Sequence, residues 1–186
     1  NKMTISVIKT HIYKEPVEVV AAAHLGKYPN EYDPNVISCT TVEKKKCDNG
    51  VAYTRRIAAC LNVLPTILRK VEAVNVDHVE IEEECWWEHK KRLFMVEARN
   101  LTGTSLLTMA EVSTYQPHQE NPNWTQFDQE GKLTIHGLGR LGYVIELFAY
   151  RFFSNGANRG ITVLESLLAD RSAKITAFWF SEFLFA

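Results

Sequence analysis

The chain has 186 residues, of which 46% are hydrophobic and 23% charged, and its formal net charge is −1. This composition predicts one soluble globular domain with a sizeable core, and it argues against the basic field that nucleic-acid-binding domains usually carry. The cysteines are too widely separated for a zinc knuckle or a Cys-x-x-Cys redox pair, and we expect free thiols at Cys39, Cys47, Cys60 and Cys85.

The N-terminal part is predicted to form a strand followed by a helix. Polar and apolar residues alternate over residues 4–13, as in a half-buried strand. Pro16 suits the first turn of a helix over residues 15–26, where its missing N–H does no harm. The apolar face of this helix consists of Val17, Val20, Ala21 and His24.

A stiff turn follows the helix, with the sequence KYPNEYDPNVIS at residues 27–38. Pro29 disfavours helical geometry at the residue before it, so the helix should end near Lys27. The turn would then hold the Lys27 cation at a fixed place. From the residues alone, the simpler explanation is a solvated lysine that interacts favourably with the helix dipole.

A hairpin and a short helix are predicted next. Two strands, residues 36–46 and 51–61, flank Asn49-Gly50, which is a strong signal for a tight hairpin turn. Residues 63–74 open with Leu64-Pro65 and combine apolar with charged positions, which is typical of a short amphipathic helix.

The remaining chain predicts four strands and a long helix. The strands cover residues 77–87, 92–101, 106–116 and 124–136, and the helix covers residues 139–168. The order β-α-β-β-α-β-β-β-β-α indicates an α+β fold, with a curved antiparallel sheet packed against helices. We assign residues 1–170 to the domain and 171–186 to an aromatic C-terminal tail of unknown role.

Signals for enzymatic chemistry are weak. The histidines lack metal-ligand spacing, and no Gly-x-Ser-x-Gly motif is present, so we expect no catalytic residue, metal or cofactor. Residues 137–142 read Gly-x-Gly-x-x-Gly, but no parallel βαβ unit surrounds them. The acidic run at residues 80–84 is interpreted as a mostly solvated strand face, with Glu83 as a candidate inward carboxylate.

This order of elements, together with the turn at residues 27–38, resembles the PRELI/MSF1 family of phospholipid-transfer proteins. Further matching motifs are RRI at residues 55–57, LP at 64–65, ENPNWT at 120–125 and GANRGI at 156–161. The resemblance implies a START-like fold: a seven-stranded sheet, one long and two shorter helices, and a cavity for one phospholipid. It also implies the mitochondrial intermembrane space, and a small helical-hairpin chaperone with twin Cys-x9-Cys motifs as partner.

The resemblance further implies a headgroup site. Its polar residues would be Lys27, Arg56, Arg151, Asn155 and Arg159. Strand alternation alone lets either Arg55 or Arg56 face inward. The three residues of the long helix are spaced by four, which puts them along one face, although they could equally be solvated.

A lid is the second expectation from the resemblance. In residues 63–74, apolar side chains could enter a membrane while basic ones meet anionic headgroups. The lid residues are Leu64, Ile67, Leu68, Arg69 and Lys70. The alternative is an amphipathic helix that is packed permanently on the sheet.

Three functions remain open from the sequence. The leading hypothesis is a non-enzymatic carrier of one anionic phospholipid, either phosphatidic acid or phosphatidylserine, between mitochondrial membranes. Residues 58–63, AACLNV, lack the lysines that several relatives carry there, which weakens the case for doubly charged phosphatidic acid. The alternatives are a membrane-associated binding or scaffold module that no longer transfers lipid, and a hydrolase or cyclase that uses a START-like cavity.

Overall fold

The computed structural model describes residues 2–66, 69–70, 72–137 and 142–170. It contains a seven-stranded antiparallel sheet and two α-helices. The strands are β1 Lys2–Tyr13, β2 Val36–Lys46, β3 Val51–Leu61, β4 His78–Glu88, β5 Leu93–Asn100, β6 Leu107–Pro117 and β7 Thr125–His136; the helices are α1 Val17–Leu25 and α2 Gly142–Ala169.

The sheet has the order β1-β7-β6-β5-β4-β3-β2. After β1 the chain crosses through α1 to the far edge of the sheet and then returns strand by strand until β7 pairs with β1. Helix α2 lies against β1 and α1. Across the described ranges, no helix is long and apolar enough to cross a bilayer.

The seven predicted strands and the long C-terminal helix are confirmed. The predicted short helix at residues 63–74 is described only in part, because residues 67, 68 and 71 lie outside the described residues. The rest of it contains a 3-10 turn, Glu72–Val74, and an N–H of Arg69 that donates to the Pro65 carbonyl at 3.2 Å.

Asn62 gives a physical reason for a looped segment there. Its side-chain amide donates to the carbonyls of Val74 and Val76 at 2.8 and 2.7 Å, and its oxygen accepts from the Leu64 N–H at 3.1 Å. One side chain therefore ties the two ends of the segment together. Part of the Gly-x-Gly-x-x-Gly motif, residues 138–141, and the tail, residues 171–186, also lie outside the described residues.

The core has two parts, one under each helix. Helix α1 covers an aromatic layer in which the rings of Tyr115 and Phe127 are 4.7 Å apart. The buried aromatic side chains of this layer are Tyr13, Trp87, Phe94, Tyr115 and Phe127. Helix α2 covers a second cluster of Ile5, Val7, Leu133, Ile135, Ala149 and Phe153.

Helix α2 makes a tight contact with the sheet at Gly131 on β7, through the ring of Phe153. A Cβ atom at this position would overlap the ring of Phe153, which is itself buried. The absence of a side chain at Gly131 therefore sets how closely the helix approaches the sheet.

We expect Gly131→Ala to lower the free energy of unfolding by about 1–3 kcal/mol, because the added methyl group overpacks the contact with Phe153. Gly156→Ala is the matched control on α2. Nothing lies within 4 Å of a Cβ at Gly156, so the helix propensity of alanine should raise stability by about 0.5–1 kcal/mol. Urea denaturation of both variants measures the difference; equal shifts would contradict the close approach.

Candidate functional site

A row of directly opposed residues crosses the middle of the concave face of the sheet. We call it the central row; from β3 to β7 it consists of Arg56, Glu83, Ala98, Glu111 and Gly131. Cross-strand neighbours point to the same face of a sheet. The row therefore places two carboxylates and a guanidinium together on the side that the helices cover.

The opposite face of the same strands carries a separate ionic network. Arg55 donates to Glu43 and to Glu82, at 3.3 and 3.0 Å, and Arg99 also pairs with Glu82. Of the two adjacent arginines, Arg56 is therefore the one whose side chain faces inward. The prediction that Glu83 alone of the acidic run on β4 faces inward with Val79 and Ile81 agrees with this register.

Arg56 joins the sheet to the end of α1. Its Nε donates to a Glu83 oxygen at 3.0 Å, Nη2 contacts the same oxygen, and Nη1 donates to the Leu25 carbonyl at 2.5 Å. Burial acts to lower the pKa of Arg56, but Glu83 outweighs it and raises the pKa. Both members of this buried pair are therefore charged, and Arg56 satisfies a carbonyl at the C-terminus of the helix.

The Glu83 carboxylate accepts several hydrogen bonds from neighbouring side chains. Besides Arg56, its oxygens accept hydrogen bonds from His24 at 3.2 Å and from the Cys85 thiol at 3.3 Å. Although burial acts to raise the pKa of the Glu83 carboxyl, His24, Arg56 and Lys27 together hold it well below its ordinary value. Glu83 therefore acts as a fixed anion that organises the cluster.

His24 occupies the last turn of α1 and is buried. Its Nδ1 lies 3.0 Å from the Tyr115 hydroxyl, and its Nε2 faces Glu83. Burial, and after it the charge of Lys27, lowers the pKa of His24 to about 4. A neutral ring that donates from Nε2 and accepts from Tyr115 at Nδ1 satisfies both contacts.

Lys27 is placed by the turn that follows α1. The Asn30 side chain donates to the Lys27 carbonyl at 2.5 Å and accepts the N–H groups of Tyr32 and Asp33 at 2.8 and 3.0 Å. The turn is thereby held rigidly, as Pro29 led us to expect. The Tyr28 hydroxyl adds a hydrogen bond to Asp33 at 3.3 Å.

The ammonium group of Lys27 lacks a polar partner in the part of the chain that the structure describes. Lys27 is only 9% exposed, and its Nζ lies 4.9 Å from the ring centre of Tyr28. Burial lowers the pKa of Lys27, while Glu83 and Glu111 act to raise it. A nearly buried cation that forms no hydrogen bond is an open position for an anion.

Glu111 faces the same space from β6. Its Oε1 accepts a hydrogen bond from Gln129 at 2.8 Å, and the Gln129 amide also donates to Ser113 at 3.1 Å. Burial raises the pKa of Glu111 to about 7. The charge of Lys27 opposes this rise, and the charge of Glu83 adds to it. This carboxyl therefore changes its charge near neutral pH.

The rows beside the central row differ in character. On one side lies the row of Thr54, Cys85, Val96, Ser113 and Gln129, and beyond it the aromatic layer that α1 covers. On the other side the inward residues are half buried. They are the apolar Met109, Ile81, Ala58 and Cys39 and the polar Asn100, whose side chain is hydrogen-bonded to the backbone of its neighbours. Ala98, at the centre of the sheet, is also half buried. The concave face thus combines a charged belt with an adjacent accessible apolar surface.

The structure brings together two of the five predicted headgroup residues, Lys27 and Arg56. Arg159 on α2 reaches the same turn through Asp33, with 3.8 Å between Nη1 and Oδ1. Arg151 and Asn155 are exposed on α2, and their side chains form no hydrogen bond or ion pair with other described residues. A role for Arg151, Asn155 and Arg159 in headgroup binding stays a prediction.

The predicted lid is described at three of its five residues. Leu64 packs partly buried against the cluster under α2, Lys70 is exposed, and Arg69 donates to the Val76 carbonyl at 3.1 Å. Ile67 and Leu68 lie outside the described residues. Opening of this segment at a membrane also stays a prediction.

The sequence interpretation missed Glu111, Gln129 and Tyr115. Alternation along β6 contains the signal, because residues 109, 111, 113 and 115 share one face and Tyr115 is buried. His24 was predicted only as part of an apolar helix face. Its pairing with Glu83 depends on where α1 crosses the sheet, which a local pattern does not contain.

His24, Glu83 and Cys85 offer three ligand atoms within 4.8 Å of one another. The arrangement does not suit a metal ion. The Glu83 oxygens already accept hydrogen bonds from three donors, and burial raises the pKa of Cys85, so its thiol keeps the proton. The neighbouring charges of Arg56 and Lys27 would also repel a cation.

Comparisons with known proteins agree with this geometry. A model of the PRELI-like family matches residues 18–174. The chain is 36% identical over 160 residues to the UPS-like protein C36.10 of Schizosaccharomyces pombe, and this match covers 85% of each protein. It is 30% identical over 168 residues to the CRAL-TRIO domain-containing protein T23G5.2 of Caenorhabditis elegans, a match that covers 89% of this chain and 23% of that protein.

Among solved structures, the crystal structure of the Zhui aromatase/cyclase from Streptomyces sp. R1128 superposes with a TM-score of 0.57. The match covers 94% of this chain and 98% of that one, at 10% sequence identity. Identity at this level shows a shared fold alone. The seven-stranded sheet with its long C-terminal helix is accordingly a START-like fold.

The buried His24 predicts a specific dependence of stability on pH. The unfolded chain protonates this histidine near pH 6.5 and the folded chain only near pH 4, so the unfolded state binds more protons between these values. The stabilising contribution is therefore complete above pH 6.5 and is lost as the pH falls towards 4. We expect the difference in unfolding free energy between wild type and His24→Gln to shrink by about 1.4 kcal/mol per pH unit in this window.

Urea denaturation at a series of pH values measures this difference. His78→Gln is the matched control, because His78 is exposed at the start of β4 and should leave the wild-type profile unchanged. Comparing each variant with wild type cancels the contribution of Glu111, whose raised pKa acts in the opposite direction. A difference for His24→Gln that is constant with pH would show that burial does not keep this histidine neutral.

Proposed function

The chain belongs to the PRELI-like family, and on that premise we propose that it is a non-enzymatic carrier of a single anionic phospholipid, phosphatidic acid or phosphatidylserine. We propose further that it acts between mitochondrial membranes in the intermembrane space. The resemblance of its motifs to phospholipid-transfer proteins supports the location.

One observation carries the proposal: the Lys27 side chain is nearly buried, and its amine has no polar partner among the described residues. Leaving a charge in this state is costly unless a ligand compensates it. Arg56 is already paired with Glu83, so Lys27 is the cation that remains available on this face. A phosphate group supplies both the negative charge and the acceptor oxygens.

The apolar part of a lipid also finds a suitable surface. Acyl chains need an accessible apolar wall, and the half-buried side chains beside the central row offer one next to the charged belt. A small anion such as inorganic phosphate would use only Lys27. The adjacency of charge and accessible apolar surface therefore favours an amphiphile as ligand.

The other candidate functions have weaker support. A cyclase or hydrolase would need a catalytic pair, and the titratable groups of the central row are held in an ion pair or hydrogen-bonded cluster instead. A membrane-associated binding or scaffold module that no longer transfers lipid would bind it at the same site. The resemblance of the chain's motifs to phospholipid-transfer proteins is what favours a carrier.

A carrier must also expose apolar surface when it opens. We propose that a small helical-hairpin chaperone with twin Cys-x9-Cys motifs covers this surface, and that the segment of residues 63–74 acts as the lid. The partner is supported by the resemblance to the family, and the lid by the apolar Leu64 and the basic Arg69 and Lys70.

We expect Lys27→Met to reduce the binding of phosphatidic acid and phosphatidylserine at least about tenfold, because a charge-assisted contact with the phosphate is lost. The variant should be at least as stable as wild type, since an uncompensated buried charge is replaced by an apolar side chain of similar shape. Native mass spectrometry after incubation with lipid vesicles measures occupancy, and thermal unfolding measures stability.

Lys132→Met is the control, because Lys132 is an exposed lysine on β7 that pairs with Glu130. It should bind lipid as wild type does. Transfer of a fluorescent phospholipid between donor and acceptor vesicles then separates carrier from scaffold. Binding of lipid without transfer by the wild-type protein with its chaperone would contradict the carrier function.

A further inference from the structure

The proposed phosphate site leaves Glu111 unexplained. Glu111 lies on the central row, and when ionised it would repel a phosphate bound at Lys27. Only one of its oxygens is hydrogen-bonded within the described part of the chain, by Gln129 at 2.8 Å. A partly buried carboxyl with an unused oxygen is unfavourable in a site built solely for an anion.

The space next to Glu111 is open on one side. Its two cross-strand neighbours are the small residues Ala98 and Gly131. The ring of Phe153 fills the space over Gly131, whereas Ala98 remains half buried in the middle of the sheet. Glu83, the next carboxylate along the row, lies two strands away, at about 9–10 Å. Ala98 therefore forms the floor of a gap between the two carboxylates.

The two carboxylates differ in availability. Glu83 accepts hydrogen bonds from Arg56, His24 and Cys85, so its capacity is used within the protein. Glu111 accepts one. Of the two acidic side chains at this gap, Glu111 is the one that can accept a further donor from a ligand.

Lys27 and Glu111 face the same gap without pairing. Each moves the pKa of the other towards its charged form, and no ion pair joins them in the described structure. An open cation and an open carboxyl that share one gap are complementary to a ligand with both charges. In an amino-phospholipid a short two-carbon link separates the phosphate from a primary ammonium group.

We propose that Glu111 accepts a hydrogen bond from a primary ammonium group of the lipid headgroup while Lys27 binds the phosphate. This inference rests on the proposed lipid-binding function. It narrows the anionic ligand to phosphatidylserine over phosphatidic acid, and it adds the zwitterionic phosphatidylethanolamine, which carries the same ammonium group. Phosphatidylcholine would be disfavoured as well, because its quaternary ammonium group has no N–H to donate. Glu111 is thus a specificity-determining residue.

The preference should depend on pH. The charged groups that face Glu111 are Lys27 from the end of α1, Arg56 from β3 and Glu83 from β4, together with the Tyr115 hydroxyl on β6. On its other side, β7 contributes the uncharged Gln129 and Gly131, and α2 contributes Phe153. Because the pKa of Glu111 is raised to about 7, the carboxylate that binds an ammonium group is formed as the pH rises through neutrality.

The test is a competition experiment read by native mass spectrometry. The full chain is incubated with phosphatidylcholine vesicles that contain equal amounts of phosphatidylserine, phosphatidylethanolamine and phosphatidic acid, below and above neutral pH. The readout is the ratio of amino-phospholipid to phosphatidic acid in the complex. Phosphatidic acid, as a phosphomonoester, changes its own charge in this pH range. The difference in the ratio between wild type and Glu111→Gln therefore isolates Glu111, because the lipids and Lys27 are the same in both.

We expect wild type to favour the amino-phospholipids and Glu111→Gln to reduce that ratio about tenfold, since one charge-assisted hydrogen bond is lost. The wild-type ratio should rise with pH, and the Glu111→Gln ratio should not. Glu97→Gln is the matched control, because Glu97 is exposed on the opposite face of the sheet at β5. It should behave as wild type does.

Three results would overturn the inference. These are a wild-type preference for phosphatidic acid, a ratio that is equal in wild type and Glu111→Gln, and an equal loss of all lipids in Glu111→Gln. The last result would assign Glu111 a structural role. Absence of any phospholipid from wild type would instead refute the proposed carrier function. Lys27→Met tests the proposed lipid binding separately from the role of Glu111, because it should lower occupancy by every phospholipid in the mixture.

Discussion

The buried contact of Arg56 with Glu83 and with the Leu25 carbonyl is the interaction on which the concave face depends. It fastens the end of α1 to β3 and β4, and this end carries His24 and Lys27. Removing one partner of such a pair typically costs about 3–5 kcal/mol, because the other charge stays buried. The same contact neutralises Glu83 internally, so the charge of Lys27 is left for a ligand.

Strand register determines which side chains lie beside this contact on the concave face. Because side chains alternate between faces, a slip of one residue in β4 would turn Glu83 outward and bring Glu82 or Glu84 inward. The ion pairs of Glu82 with Arg55 and Arg99 on the opposite face oppose such a slip, since turning Glu82 inward would separate this buried carboxylate from both arginines. The outer network therefore helps to specify which carboxylate reaches the site.

The sequence predicted the strands well because alternation and the Asn49-Gly50 turn are local signals. It also placed Lys27 at the end of α1, through Pro29, and restricted the inward arginine to Arg55 or Arg56. The solvated lysine that the residues alone favoured at this position is wrong, because Lys27 is nearly buried. It could not predict the partners of His24 or the position of Glu111 relative to Lys27, because both depend on where α1 crosses the sheet. Spacing by four predicted that Arg151, Asn155 and Arg159 share one face of α2, but it did not show whether that face points to the sheet or to solvent. In the structure Arg151 and Asn155 are exposed.

The site also carries a thermodynamic cost that a ligand can relieve. Burial moves the pKa of His24, of Lys27 and of Glu111 in the direction of the uncharged form. For Lys27 and Glu111, an ionised ligand of opposite charge would favour the charged form instead. Binding to the folded state alone stabilises that state. The proposed ligand would therefore stabilise the fold through the same two side chains that bind it, Lys27 and Glu111.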